Sequence, residues 1–269
     1  KKVDTSKAEA LKGVLAVVTG PEVVAQTKSV PPRAIAKPLK QYVMAGDKIR
    51  YLGEPIAAVV ATDRYLAEDA LELIEVEYEP LPGVSKIDDA LAPGAPLLWE
   101  ENGSNDLLHD TMTHGDFEKA FKEADVICDE TFVVHRYSST PLENWAMIAQ
   151  YDKGTDSFTC WANDQQPGRS VANMAAVMGI PMNKIHLIVP ESGGGFGIKL
   201  AIWPYMVILC LLAKKVDRPI KWVQTRREHL LGGTHAPDCK VEMKMALKKD
   251  GTILGLDIKD YENDGSFIH

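Results

Sequence analysis

Ser192-Gly193-Gly194-Gly195-Phe196-Gly197-Ile198-Lys199-Leu200 holds four glycines in five successive positions, and such density needs a physical cause. Residues 184–189 before it read as a strand. Residues 200–215 after it have helical length and apolar content, with Pro204 tolerable in a first turn. Glycine lets main chain approach a ligand closely, and a helix N-terminus supplies free N–H donors for an anion or oxo group. A tight turn whose glycines only satisfy positive φ explains the same spacing, so spacing alone leaves both readings open. Two anion-binding templates fail. The dinucleotide fingerprint needs a glycine where Ile198 stands, and a phosphate P-loop needs Gly-Lys-Ser/Thr where this chain has Gly197-Ile198-Lys199-Leu200.

The elements around this turn predict an α+β fold, mixed α and β. A helix over 170–178 ends at Gly179, a suitable C-cap, and strand-like runs occupy 126–134, 145–151 and 158–161. Phe117, Ala120, Phe121 and Ala124 share one face of an amphipathic helix over 116–124. Ala92-Pro93-Gly94-Ala95-Pro96 and Glu101-Asn102-Gly103-Ser104-Asn105 read as a surface connector. A linker is therefore predicted at 92–112, between a first domain at 1–91 and a second at 113–269. In the first, 14–18 is an apolar strand ended by the breaker pair Gly20-Pro21, and 56–61 suits a strand buried on both faces. Asp63 is a plausible N-cap for a helix over 65–74, and Glu75 to Tyr78 alternates as a half-exposed strand closed by Pro80 and Pro82.

The 269 residues are 45% hydrophobic and 25% charged, an ordinary soluble globular balance. A formal charge of −8 and a pI near 5.4 argue against a nucleic-acid partner, whose site would concentrate Lys and Arg. No apolar stretch is long enough to span a membrane, and the longest run, 206–213, fits a buried helix. Cys128, Cys160, Cys210 and Cys239 lie far apart without metal-ligand spacing, so this segment carries no iron–sulfur or zinc framework. They suit reduced, mostly buried thiols in a cytoplasmic protein. The chain begins at Lys1-Lys2 without a signal-peptide pattern and stops at His269 within strand-like sequence, so both ends read as cut.

Other candidate chemistry is sparse. Glu143, after Pro141-Leu142, is either an acid or base or an ion-paired structural carboxylate. His135-Arg136 is not metal spacing, and His229 and His235 lack a third ligand. Gln165 alone reads as an exposed loop glutamine.

Gly53-Glu54-Pro55-Ile56-Ala57-Ala58-Val59-Val60-Ala61, then Ala67-Glu68-Asp69-Ala70 and Val76-Glu77-Tyr78-Glu79-Pro80-Leu81-Pro82, resemble the small hammerhead domain of the molybdenum hydroxylases. That family includes xanthine dehydrogenase, aldehyde oxidase, aerobic carbon monoxide dehydrogenase and nicotinate dehydrogenase. Pro141-Leu142-Glu143, Asp164-Gln165-Gln166-Pro167, the glycine turn through Lys199, and Arg218-Pro219-Ile220-Lys221-Trp222-Val223 with Arg226-Arg227-Glu228 resemble the start of its cofactor-binding domain. The resemblance covers essentially the whole chain, and the ordered set is what makes it specific. It implies an α/β-hammerhead domain followed by the first part of a molybdenum-cofactor-binding domain, cut at both ends.

The resemblance also implies roles. Main chain at Phe196 and Gly197, with Gly194 and Gly195 in the same turn, lies against the molybdenum's oxygen ligands. The Gln165 amide bonds the metal's oxo group, which a neutral donor does without adding charge. No side chain here ligates the metal directly. The implied reaction hydroxylates an aldehyde, aromatic heterocycle or similar carbon centre with water-derived oxygen, on a molybdopterin-type molybdenum cofactor. The catalytic base and most pterin contacts belong to a C-terminal part beyond this chain, so no catalytic residue is assigned here and the fragment alone is expected to be inactive. Implied partners are the remainder of the subunit, iron–sulfur clusters and, where a flavin is used, FAD on other chains or segments, and a small-molecule substrate. The other reading is a non-catalytic split subunit or assembly module of such a complex. Leu200 stands where the xanthine-oxidising branch has a purine-binding glutamate, which argues against purines. His135-Arg136, Pro141-Leu142-Glu143 and Gly197-Ile198-Lys199-Leu200 are more similar to the carbon monoxide dehydrogenase-like branch.

Overall fold

The computed structural model describes residues 2–31 and 39–266, so the strand-like end of the sequence, at 267–269, lies outside the described residues. In chain order the elements are β1 (Lys2–Asp4), α1 (Ser6–Ala10), β2 (Val14–Thr19), α2 (Gly20–Gln26), β3 (Ala57–Ala61), α3 (Arg64–Glu72) and β4 (Glu75–Glu77). There follow α4 (Ile87–Leu91), α5 (Phe117–Lys122), β5 (Val126–Val134), β6 (Ala146–Asp152), β7 (Ser157–Ala162), α6 (Pro167–Met178) and β8 (Ile185–Ile188). The last are α7 (Trp203–Val216), β9 (Ile220–Val223), α8 (Arg226–Gly232), β10 (Asp238–Leu247) and β11 (Ile253–Asn263). This is the predicted mixed α and β class.

Residues 2–31, 39–81 and 139–234 form one compact unit. Its largest sheet has the order β8-β7-β6-β9, with β7 and β8 parallel and the other pairs antiparallel. Two antiparallel pairs accompany it, β2 with β3 and β1 with β4. The apolar run at 206–213 becomes the middle of α7, where Met206, Val207, Cys210 and Ala213 are buried. Alternate side chains of a strand point to opposite faces, and this explains why 14–18 and 56–61 carry few polar residues. Ala16, Val18 and Val60 enter the core that contains α7, whereas Val17 and Val59 pack with Ala8 and Ala70 beneath α1 and α3. The side chain of Asp63 accepts the Leu66 N–H at 3.0 Å and caps α3.

The second unit spans 82–138 and 235–266 and is built on the antiparallel sheet β11-β10-β5. The alternation of Val241, Met243 and Met245 with Lys240, Glu242 and Lys244 is a period-2 signal for β10, although the sequence expectations place no strand there.

Three expectations need correction. Gly20-Pro21 does not merely end β2. Proline suits the first helical turn, and Glu22 accepts the Thr19 N–H at 2.8 Å, so α2 starts at once. The segment 92–112 is more than a surface connector: Trp99 is buried and its indole Nε1 donates to the Ser266 carbonyl at 2.8 Å. Asn105 ties the segment together, accepting from the Leu98 N–H and donating to the Ala90 and Pro96 carbonyls. Composition detects the prolines and glycines but not that hub. Finally, residues Ile198–Ala201 form a 3-10 turn, and α7 begins only at Trp203.

Met206→Ala is expected to cost about 2–5 kcal/mol in chemical unfolding, because it empties a buried site on α7. Tyr65→Ala, on the exposed side of α3, should stay within about 0.5 kcal/mol.

Candidate functional site

Gln165 lies at the junction of β7 and α6, and its neighbours lock that junction. Asn163 Oδ1 accepts the Ala146 N–H at 3.0 Å, and its Nδ2 donates to the Asn144 carbonyl at 2.8 Å. The buried Asp164 carboxylate accepts the Gln166 N–H at 2.5 Å, and Pro167 opens α6. Burial pushes the Asp164 carboxyl up from its ordinary value, opposed by the Ser170 hydroxyl and the Gln166 amide. From this fixed turn Gln165 reaches the glycine turn, where its Oε1 accepts the Gly197 N–H at 3.1 Å.

The contact explains one glycine directly. A Cβ at Gly195 would stand 2.5 Å from Gln165 Oε1 and 3.0 Å from its Cβ and Cδ, so only a residue without a side chain lets the two segments approach. Within the turn, the Gly194 N–H donates to the Ser192 carbonyl at 2.9 Å and the Ile198 N–H to the Gly195 carbonyl at 3.1 Å. Gly194 and Gly197 take φ values of +88°, and Phe196 takes +49°, an uncommon conformation for a residue with a side chain. Its ring lies over Gly194, and the residue is 74% exposed. Among the described residues, the N–H groups of Gly195 and Phe196 and the Nε2 of Gln165 have no protein partner.

The turn is braced from below by a charge that sequence reasoning did not place in the site. Lys199 is fully buried, and its Nζ donates to Glu143 Oε2 and, at 3.3 Å, to Ser192 Oγ. The same Glu143 oxygen accepts the Gly193 N–H and Asn163 Nδ2, each at 2.8 Å. Arg226 Nη2 donates to the Pro141 and Leu142 carbonyls, both at 2.8 Å, and so holds the loop that carries Glu143. Burial pushes the Glu143 carboxyl up, but donors from Lys199, Asn163 and Gly193 outweigh it and leave the group below its ordinary value. That makes Glu143 an anion and a weak base, in keeping with the ion-paired reading rather than the acid–base one.

The structure brings Gln165, Gly195 and Gly197 into contact and keeps Gly194 and Phe196 in the same turn. It corrects two details. The Gly197 amide is spent on Gln165, and the free donors do not come from the N-terminus of α7, because the 3-10 turn intervenes. Asn163 and Lys199 were missed. A lysine between Ile198 and Leu200 at the head of an apolar helix was the available signal. His229 is buried between Gln224 Oε1 and the Ser139 carbonyl, at 3.2 and 3.4 Å. Among the described residues no group of three or more His, Cys, Asp or Glu converges as a metal site.

A ledge of two unpaired amides and one neutral side-chain amide offers hydrogen-bond donors. It fits a prosthetic group that presents oxygen acceptors and is held without direct side-chain ligation. Residues 99–269 match the family described as molybdopterin cofactor-binding domain, and residues 1–82 match the aldehyde oxidase and xanthine dehydrogenase a/b hammerhead domain. The large chain of carbon monoxide dehydrogenase from Afipia carboxidovorans is 34% identical over 280 residues, covering 99% of this chain and 34% of that protein. The nicotine 6-hydroxylase large subunit of Paenarthrobacter nicotinovorans is 30% identical over 257 residues, covering 94% of this chain and 31% of that protein. The crystal structure of a Cu,Mo-CO dehydrogenase superposes with a TM-score of 0.83 at 34% identity, covering 97% of this chain and 34% of that one. The chain belongs to the molybdenum hydroxylase family and corresponds to the N-terminal part of its large subunits, hammerhead followed by cofactor-binding domain. It spans between 31% and 34% of the length of these relatives.

Burial decides which half of the brace matters more. Glu143→Ala strands an ammonium with no solvent access and is expected to cost about 3–5 kcal/mol in chemical unfolding. Lys199→Met leaves a carboxylate whose side chain is 39% exposed and should cost less. Because the folded-state pKa of Glu143 is depressed, its contribution is present above its unfolded value and is lost as pH falls through the folded one. The acid limb of the stability curve should accordingly be shallower in Glu143→Gln than in the parent.

Proposed function

We propose that this chain forms the hammerhead and leading cofactor-binding portion of a molybdenum-dependent hydroxylase or dehydrogenase, and that Gln165, Gly195 and Phe196 hold the molybdenum cofactor. Donors without opposing acceptors, built on a locked turn, are the observation that carries this reading. When bound, the cofactor supplies the two-electron chemistry by which water-derived oxygen enters an aldehyde, aromatic heterocycle or similar carbon centre. Gln165 Nε2 donates toward the cofactor's oxygens while its Oε1 stays fixed on the Gly197 amide, which sets the plane of the carboxamide. The free amides of Gly195 and Phe196 donate to the same group, and Gly194 and Gly197 give the turn its shape.

Glu143 is not assigned as the proton acceptor, since three donors to one of its oxygens lower its basicity. The catalytic base and the remaining pterin contacts are assigned to the part of the large subunit that this chain does not span. Iron–sulfur clusters, and FAD where a flavin is used, are assigned to partner chains or segments. Half-buried Leu200, flanking the turn, has no polar atom on its side chain to read a purine, which favours substrates of the other classes.

Molybdenum measured in the purified assembly containing this chain is expected near one atom per copy. A content well below one would overturn the proposal and favour a non-catalytic assembly module. Gln165→Ala is expected to lower cofactor retention or turnover roughly 10–100-fold, with little change in chemical unfolding. Unchanged molybdenum content and turnover would remove Gln165 from the site.

A further inference from the structure

Phe196 carries two costs that a tight turn alone does not explain. Its φ of +49° lies in the left-handed region, which a bulky side chain rarely enters. Glycine enters that region freely, and positions 193–195 and 197 beside it are all glycine. Burial does not offset the strain either, because the residue is exposed. What the ring touches is Gly194. It fills the place of a side chain there: a Cβ at Gly194 would stand 2.5 Å from Cε2 of the ring, 3.2 Å from Cδ2 and 3.3 Å from Cζ.

The hydrogen bonds of the turn show what that contact holds. The Gly193 N–H donates to Glu143, the Gly194 N–H to the Ser192 carbonyl, and the Ile198 N–H to the Gly195 carbonyl. Gln165 secures the Gly197 N–H. Each bond fixes one peptide plane, because the C=O of one residue and the N–H of the next are coplanar. The peptide that joins Gly194 to Gly195 is the exception. Among the described residues neither its C=O nor its N–H has a hydrogen-bond partner. Both of its flanking residues lack a Cβ, so it is also the peptide that rotates most easily. We propose that the Phe196 ring is a positioning group: lying on Gly194, it holds the Gly194–Gly195 peptide with the Gly195 N–H turned toward the molybdenum cofactor. The inference rests on the proposed function. A half-turn of that peptide would put the Gly194 carbonyl where the donor stands, and a carbonyl repels the cofactor's oxygens. The ring thus does for Gly195 what Gln165 does for Gly197.

Replacing the ring by the residue that suits its backbone separates positioning from stability. In the purified assembly that contains this chain, Phe196→Gly is expected to lose molybdenum on dialysis at least about tenfold faster than the parent. The electron paramagnetic resonance signal of the reduced metal should change as well. The midpoint of urea unfolding should stay near that of the parent, because relief of the left-handed strain offsets the added freedom of the unfolded chain. Phe196→Tyr keeps the ring and should recover most of what Phe196→Gly loses. Molybdenum retained in Phe196→Gly with an unchanged signal would overturn the inference and leave the proposed function standing. A midpoint that falls together with the metal would make the ring an ordinary stabiliser, and a change in KM alone would make it a wall of the substrate pocket. Either result, or a failure of Phe196→Tyr to recover the loss, also overturns the inference. A parent assembly without molybdenum overturns the proposed function and this inference with it.

Discussion

Lys199 sets an ammonium in a place that solvent does not reach, and the arrangement of the glycine turn follows from satisfying it. Removing such a charge from water is costly unless a counter-ion and hydrogen bonds accompany it. Glu143 supplies the counter-ion, Ser192 a hydroxyl, and the same carboxylate oxygen draws in the Gly193 amide and Asn163. One carboxylate thereby joins three segments distant in sequence: the loop held by Arg226, the end of β7 and the glycine turn. With those positions fixed, Gln165 can lie on Gly195 and bond Gly197, and the donors at Gly195 and Phe196 are left open.

This division of labour separates holding the site from serving it. Charged groups carry the structural load and are neutralised against one another below the turn. Neutral donors are left on the surface proposed to meet the cofactor. A carboxylate in that layer would repel oxygen acceptors, while an uncompensated lysine would favour any passing anion. Neutral amides in fixed positions discriminate by geometry instead.

Much of the fold was legible because its signals are local. Asp63 as a cap, Gly179 at the end of α6, the alternation of β6 and β7, and the apolar stretch of α7 each follow from residues within a few positions. What escaped depends on partners far away in the chain. The segment 92–112 has the composition of a connector, but Trp99 finds its acceptor at Ser266. Nothing near Lys199 in sequence signals its burial, because its partner Glu143 is 56 positions away. The turn's residues were identified by resemblance, whereas the reason for Gly195 emerged only once Gln165 was seen lying on it. Spacing alone had left two explanations for those glycines. The structure shows positive φ at Gly194 and Gly197, and at Gly195 a close approach to the chain's own Gln165 rather than to a ligand.

The alternating burial of β2 and β3 bears on how such proteins diversify. Ala16, Val18 and Val60 share a core with α7, so the hammerhead segment and residues 139–234 of the cofactor-binding segment are packed as one unit although the chain writes them separately. Exchange of the hammerhead between family members would carry half of a jigsaw without its complement. Compensating changes on α7 would have to travel with it, making recombination at that sequence boundary costlier than the modular pattern of family matches suggests.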